Sequence, residues 1–138
     1  MSQSEEYDTS YFVPTDDAGT PTEEGKWLSW ATAKEFSPVV GAVMHPILGK
    51  NILVNYITVE PNSPSPPHAH AEEQITIVIE GEMIFTLGDE VRVIKAGDVV
   101  YIPSWVKHGG GTGPDSGAVC IDVFNPPRQQ LRELIENG

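Results

Sequence analysis

Between Val39 and Phe124 the chain is cut every few residues by proline or glycine into short runs of β-branched and aromatic residues. This punctuation limits its fold more than any other feature. The apolar runs are 39–44, 52–60, 75–80, 83–87, 91–94, 99–102 and 119–124. The breaks are residues 61–67, Gly81-Glu82, Gly88-Asp89, Ala96-Gly97-Asp98 and a loop from Gly109 to Gly117. Runs this short, with no helical periodicity between them, predict an all-β antiparallel sandwich or small barrel. Only the tail departs from the pattern: Leu131, Leu134 and Ile135 stand at i, i+3 and i+4, which predicts one short helix over 128–137 ending at Gly138. A length of 138 residues with 39% apolar content supports a single core of modest size.

Residues 1–25 are dominated by Asp, Glu, Ser, Thr, Pro and Gly and bury too little to offset the entropy of ordering them. The expectation is a flexible acidic N-terminal arm ahead of one domain over 26–138. Within the arm, Tyr11-Phe12-Val13-Pro14 is an apolar patch suited to lie along the barrel or a partner subunit. Trp27-Leu28-Ser29-Trp30 alternates as a strand does, leaving open which way the two tryptophans face. Twenty acidic against eight basic residues give a net charge of -12, so neither nucleic acid nor a membrane is expected as a partner. The start of the chain has no apolar leader segment, no apolar run approaches about 18 residues, and the single cysteine, Cys120, excludes an intrachain disulfide framework. A soluble, cytoplasmic protein is expected.

Three of the four histidines fall in two stretches, Pro66-Pro67-His68-Ala69-His70-Ala71-Glu72-Glu73-Gln74 and Pro103-Ser104-Trp105-Val106-Lys107-His108. In an extended segment His68 and His70 point the same way, so their rings converge. Gln74 opens the next strand and offers an amide oxygen to the same point, and His108 reaches it through a second hairpin. Such a donor set suits a divalent first-row transition metal, Ni, Zn, Mn, Fe or Cu, without choosing among them. A one-residue slip would bring Glu72 or Glu73 to the metal in place of Gln74. Gln74 is alternatively a polar strand residue that hydrogen-bonds a histidine. His45, before Pro46 in a turn-like setting, reads as structural.

The spacing His68-x-His70-x3-Gln74-x6-Gly81, followed by Gly97-x5-Pro103-x-Trp105-x2-His108, resembles the two motifs of the cupin superfamily over roughly residues 39 to 128. The resemblance implies a double-stranded β-helix, the cupin jelly roll, assembled as a homodimer around a small-molecule substrate. Counted back from Gly81, it selects Gln74 over Glu72 and Glu73. Two positions depart from the commonest pattern: Gln74 stands where glutamate is usual and Trp105 where glycine is frequent. Glutamine at that position occurs in uronate-linearising pectin-degradation cupins (KdgF-like) and in some small cupin hydroxynitrile lyases. The tail Asp122-Val123-Phe124-Asn125-Pro126-Pro127-Arg128 resembles the first group more.

Asp122 shares strand parity with Cys120 and Phe124 and is either a residue of a solvated face or an inward carboxylate kept for use. Arg128 is either a surface partner of Glu133 or Asp115, or a clamp for a substrate carboxylate. The resemblance implies the second reading of each, with Asp122 moving a proton, Phe124 forming an apolar wall and Arg128 folding back over the pocket. Cys120 has no base to activate it and is inert. Trp105, Tyr101 and Met83 are packing residues first. Three imidazoles and an amide, all neutral, leave the metal's charge uncompensated and favour an anionic substrate. The implied activity is a metal-dependent isomerase or lyase-type linearisation or tautomerisation of an unsaturated uronate-like carboxylated sugar. Rival readings are a metal-dependent dioxygenase or carbon-carbon lyase, and a non-catalytic cupin that binds a small ligand.

Overall fold

The computed structural model describes residues 11–12 and 19–138. Seven strands and one helix follow in chain order: β1 Ala42–Leu48, β2 Leu53–Val59, β3 Glu73–Leu87, β4 Glu90–Lys95, β5 Val99–Ile102, β6 His108–Gly111, β7 Ala118–Asn125 and α1 Gln129–Asn137. Every pairing is antiparallel. One sheet runs β1, β2, β7, the first half of β3, then β5. A second places the later half of β3 between β4 and β6. The fold is the all-β jelly roll expected, with its short C-terminal helix.

Strand β3 joins the two sheets, so its bend shapes the barrel. The sequence divides it into two strands at Gly81-Glu82, whereas the strand is continuous for 15 residues. It turns through a register irregularity between Val78 and Glu80 and through Gly81, whose φ is +75°. A side chain at Gly81 would also collide with the carbonyl of Gly117, just ahead of β7. Glycine is therefore required twice over, for its backbone angle and for the close approach.

Three other expectations change. Strand β1 continues through His45 and Pro46, which the sequence places in a turn. Among the described strands it pairs with β2 alone, apart from one bridge between Met44 and Phe36, and an edge strand tolerates a proline that cannot donate. Residues 108–111 form β6 rather than the start of a loop. Trp27 to Trp30 are not a strand: Trp27 is fully exposed, while Trp30 enters a turn and stacks on Tyr56 with ring centroids 5.1 Å apart.

The inward positions of β2, Leu53, Ile57 and Val59, are buried, as are Val78, Met83, Phe85, Ile102 and Cys120. A smaller cluster, Leu53 and Phe124 with Leu131 of α1, docks the helix at one end of the barrel. Tyr11 and Phe12 are exposed and meet edge to face at 4.6 Å. Val13, Pro14 and most of the expected arm, residues 1–10 and 13–18, lie outside the described residues. Among the described residues no helix is long and apolar enough to cross a membrane.

Candidate metal centre and its cavity

His68 and His108 are brought together by backbone pairing, each donating its N–H to the other's carbonyl, at 2.8 and 2.9 Å. His70, two residues on from His68, points to the same place, and its carbonyl accepts the N–H of Trp105 at 2.8 Å. The result is a cluster in which one ring nitrogen of each histidine lies within 4.8 Å of the others. His70 and His108 are buried and His68 is exposed. Trp105 takes up a φ of +66°, a left-handed conformation that glycine adopts without cost, which gives the usual residue at this motif position its physical basis.

The hydrogen bonds orient all three rings alike. His68 Nδ1 faces Pro66 O at 3.0 Å, His70 Nδ1 faces Glu72 O at 2.9 Å and His108 Nδ1 faces Val106 O at 2.9 Å. A carbonyl only accepts, so each Nδ1 carries the proton and each Nε2 keeps its lone pair for the centre. Burial first, and then the Arg128 charge, lower the pKa of His70; burial first, then the charges of His68, His70 and Arg128, lower that of His108. Both rings are neutral at pH 7 and free to ligate.

Gln74 is held beside the cluster by a relay. Thr76 Oγ1 gives its one proton to Asp122 Oδ1 at 2.7 Å, so it accepts from Gln74 Nε2 at 2.8 Å. That fixes the amide with Oε1 toward His70 Nε2, 3.0 Å away. Two lone-pair atoms facing each other repel, and His108 Nε2 is buried with no hydrogen-bond partner among the described residues. A divalent cation resolves both conflicts, so the residues present fit a metal. The rival carboxylates are turned elsewhere. Glu72 accepts the Gln129 N–H at the start of α1 at 2.9 Å, and Glu73 accepts the Tyr101 hydroxyl at 2.6 Å.

The cluster opens on a cavity of about 570 Å³ between the two sheets. Asp122, Phe124 and Arg128 line it beside the histidines, and Met44, Ile57, Val59, Met83 and Phe85 form apolar walls. Phe124 is buried with its ring edge-on to His70 at 5.8 Å. Burial pushes the Asp122 carboxyl up to about 6, against the hydrogen bonds of Thr76 and Gln74 and the charge of His68. Arg128 pairs with neither Glu133 nor Asp115. Its guanidinium bonds Gln130 Oε1 and lies 4.0 Å from Glu72. Burial, then the Asp122 charge, raise the pKa of Cys120, which keeps its thiol protonated. His45 lies on β1 with Nε2 3.4 Å from Glu35, away from the site. Sequence reasoning missed Glu72 as the cap of α1, and Thr76 and Asn55 as lumen residues. The signal was present for the last two, since each is polar at an inward parity of an apolar strand.

Residues 55–124, half of the chain, match the Cupin domain family. The chain is a cupin. It is 37% identical over 73 residues to the H2HPP isomerase of Bacillus subtilis, covering 52% of this cupin and 30% of that protein. It is 31% identical over 64 residues to the acireductone dioxygenase of Alcanivorax borkumensis, covering 44% of this cupin and 35% of that enzyme. The cupin thus spans about a third of the length of these curated relatives. Among solved structures, KdgF from Halomonas sp. superposes with a TM-score of 0.70 at 22% identity, over 78% of this cupin and 99% of that chain. That likeness is one of fold.

Proposed function

We propose that this cupin is a metal-dependent isomerase or lyase-type enzyme acting on a small carboxylated substrate, with an unsaturated uronate-like sugar acid as the leading candidate. The observation that carries the reading is that Asp122, a carboxyl tuned to about 6, shares one cavity with Arg128 and the histidine cluster. His68, His70, Gln74 and His108 would hold the divalent ion, which supplies Lewis-acid stabilisation of negative charge developing on a substrate oxygen. Asp122, ionised at neutral pH yet close to its pKa, takes a proton from one substrate position and returns it at another. Arg128 holds the substrate carboxylate through its planar fork. Phe124 and the apolar walls exclude water from the carbon frame while the proton moves. The isomerase name of the Bacillus relative supports this reaction class. A second reading, a cupin dioxygenase, is favoured by the three-histidine cluster and by the acireductone dioxygenase relative.

The test begins with elemental analysis of the purified protein, followed by turnover of unsaturated uronates and small diketones with and without O2. Turnover that persists without O2 is expected; consumption of O2 with substrate selects the dioxygenase. Binding without turnover of any of them selects a ligand-binding cupin. Against an accepted substrate, Asp122→Asn should lower kcat by about 10² to 10⁴ with metal retained. Arg128→Lys should raise KM more for carboxylated substrates than for neutral analogues. If both variants are kinetically silent, the assigned roles fall.

A further inference from the structure

The inward positions of β3 ahead of its bend are Gln74, Thr76 and Val78, all buried. Thr76 is 1% exposed, and valine, which has its shape, would pack there with no hydroxyl to satisfy. The hydroxyl is fully employed instead. It donates to Asp122 Oδ1 on the paired strand and accepts from Gln74 Nε2.

This arrangement bears on the metal more than on the sheet. A glutamine amide has a donor end and an acceptor end of nearly the same shape, and only the oxygen ligates a cation. Turned end for end, the Gln74 amide would aim its NH2 group at the lone pair of His70 Nε2, which Oε1 now faces at 3.0 Å. That bond would close the centre to an ion. Thr76 opposes the turn. A carboxylate only accepts, so the hydroxyl proton is committed to Asp122, and a turned amide would set its oxygen against the Thr76 oxygen. With valine at this position the turned amide would keep its bond to His70 and meet no repulsion at its other end, so an arriving ion would have to break that bond first. We propose that Thr76 is a positioning residue that selects the ligating end of Gln74 and thereby sets the affinity for the metal. The inference rests on the metal reading of the cluster, and it names the residue that makes an amide usable where a carboxylate would need no orienting.

The test measures zinc affinity of the full chain at fixed pH, by competition with a chromophoric chelator. Thr76→Val should weaken zinc binding about tenfold, the worth of one hydrogen bond, and Thr76→Ser, which keeps the hydroxyl, should stay within about threefold of the wild type. The deciding comparison is made in Gln74→Glu, whose side chain carries an oxygen at either end. There Thr76→Val should cost less than about threefold, because no orientation remains to be selected. A distorted barrel would weaken zinc equally in both backgrounds, and equal losses overturn the proposal. So does an unchanged affinity in Thr76→Val, or a Thr76→Ser as weak as Thr76→Val. If Thr76→Val does not fold, Thr76→Ala is measured in its place in both backgrounds, with the same losses expected. A wild type that binds no zinc removes the metal centre and the role of Thr76 together, whereas a zinc-binding wild type indifferent to the hydroxyl removes only the second.

Discussion

In the proposed centre Gln74 sets the charge, and Thr76 links it to Asp122. With an amide in place of a carboxylate the four donors carry no charge, so an ion keeps its attraction for an anion. Gln74→Glu should tighten metal binding, read by competition with a chromophoric chelator, and weaken binding of a carboxylated ligand; tighter binding of both would reject the charge argument. Asp122 makes a separate prediction for the metal-free protein. Its folded pKa of about 6 lies above the ordinary 3.8, so between these values the folded state holds the extra proton. Stability contributed by that proton is present at about pH 4 and lost as the pH rises through 6. The difference amounts to about 3 kcal/mol. His70 and His108, lowered by burial, slope the other way below their ordinary 6.5. The difference between wild type and Asp122→Asn in urea midpoints from pH 4 to 7 isolates the carboxyl. A difference that does not change with pH would mean that Asp122 is not buried as an acid.

At the scale of elements, α1 depends on a residue 57 positions away. Arg128 at its N-cap makes no side-chain capping bond, and Glu72 provides one by accepting the Gln129 N–H. Burial opposes the charge on Glu72, but that bond, Arg128 and His70 outweigh it and lower its pKa. One carboxylate therefore anchors the helix and braces the arginine that faces the cavity. Glu72→Ala should cost about 1 to 2 kcal/mol in denaturant unfolding and weaken carboxylate binding as Arg128 loosens. Unchanged stability would show the cap to be idle. This link was invisible in the sequence because it joins distant segments, whereas the His-x-His spacing is local and was read directly. Strand β6 was hidden for another reason. Gly109, Gly110 and Gly111 read as a loop, but a Cβ would lie 2.8 Å from Ser65 O, 2.7 Å from the Phe85 ring and 2.6 Å from Ser63 O, respectively. Gly109 and Gly111 admit close packing of the proline-rich segment that carries His68, and Gly110 makes room for Phe85. Turn punctuation between short apolar runs made β2, β4, β5 and β7 legible to within a few residues. Trp27 to Trp30 misled because alternation over four residues does not supply a partner strand.

For the whole molecule, the unexplained surface is the outer face of the five-stranded sheet. One row runs Ile47, Val54, Val123, Ile75, Tyr101 across all five strands, and the next runs His45, Tyr56, Ile121, Ile77, Val99. Trp30 covers Tyr56, yet Val99 and Tyr101 are 59% and 53% exposed. Five strands about 4.8 Å apart make these rows roughly 19 Å wide, broad enough to form the core of an interface. Neither row itself carries an acidic side chain, although Glu73, which accepts from Tyr101, and Glu35, beside His45, lie against their ends. A second copy related by a two-fold axis fits such a surface, because one apolar face complements itself. Sedimentation velocity at micromolar concentration should therefore give two chains per particle. Val99→Lys, at an exposed position, should yield single chains with the same circular dichroism and metal content, since no residue of β5 lines the cavity. A wild-type protein that sediments as a single chain would reject the homodimer, and a dimer untouched by Val99→Lys would place its interface elsewhere.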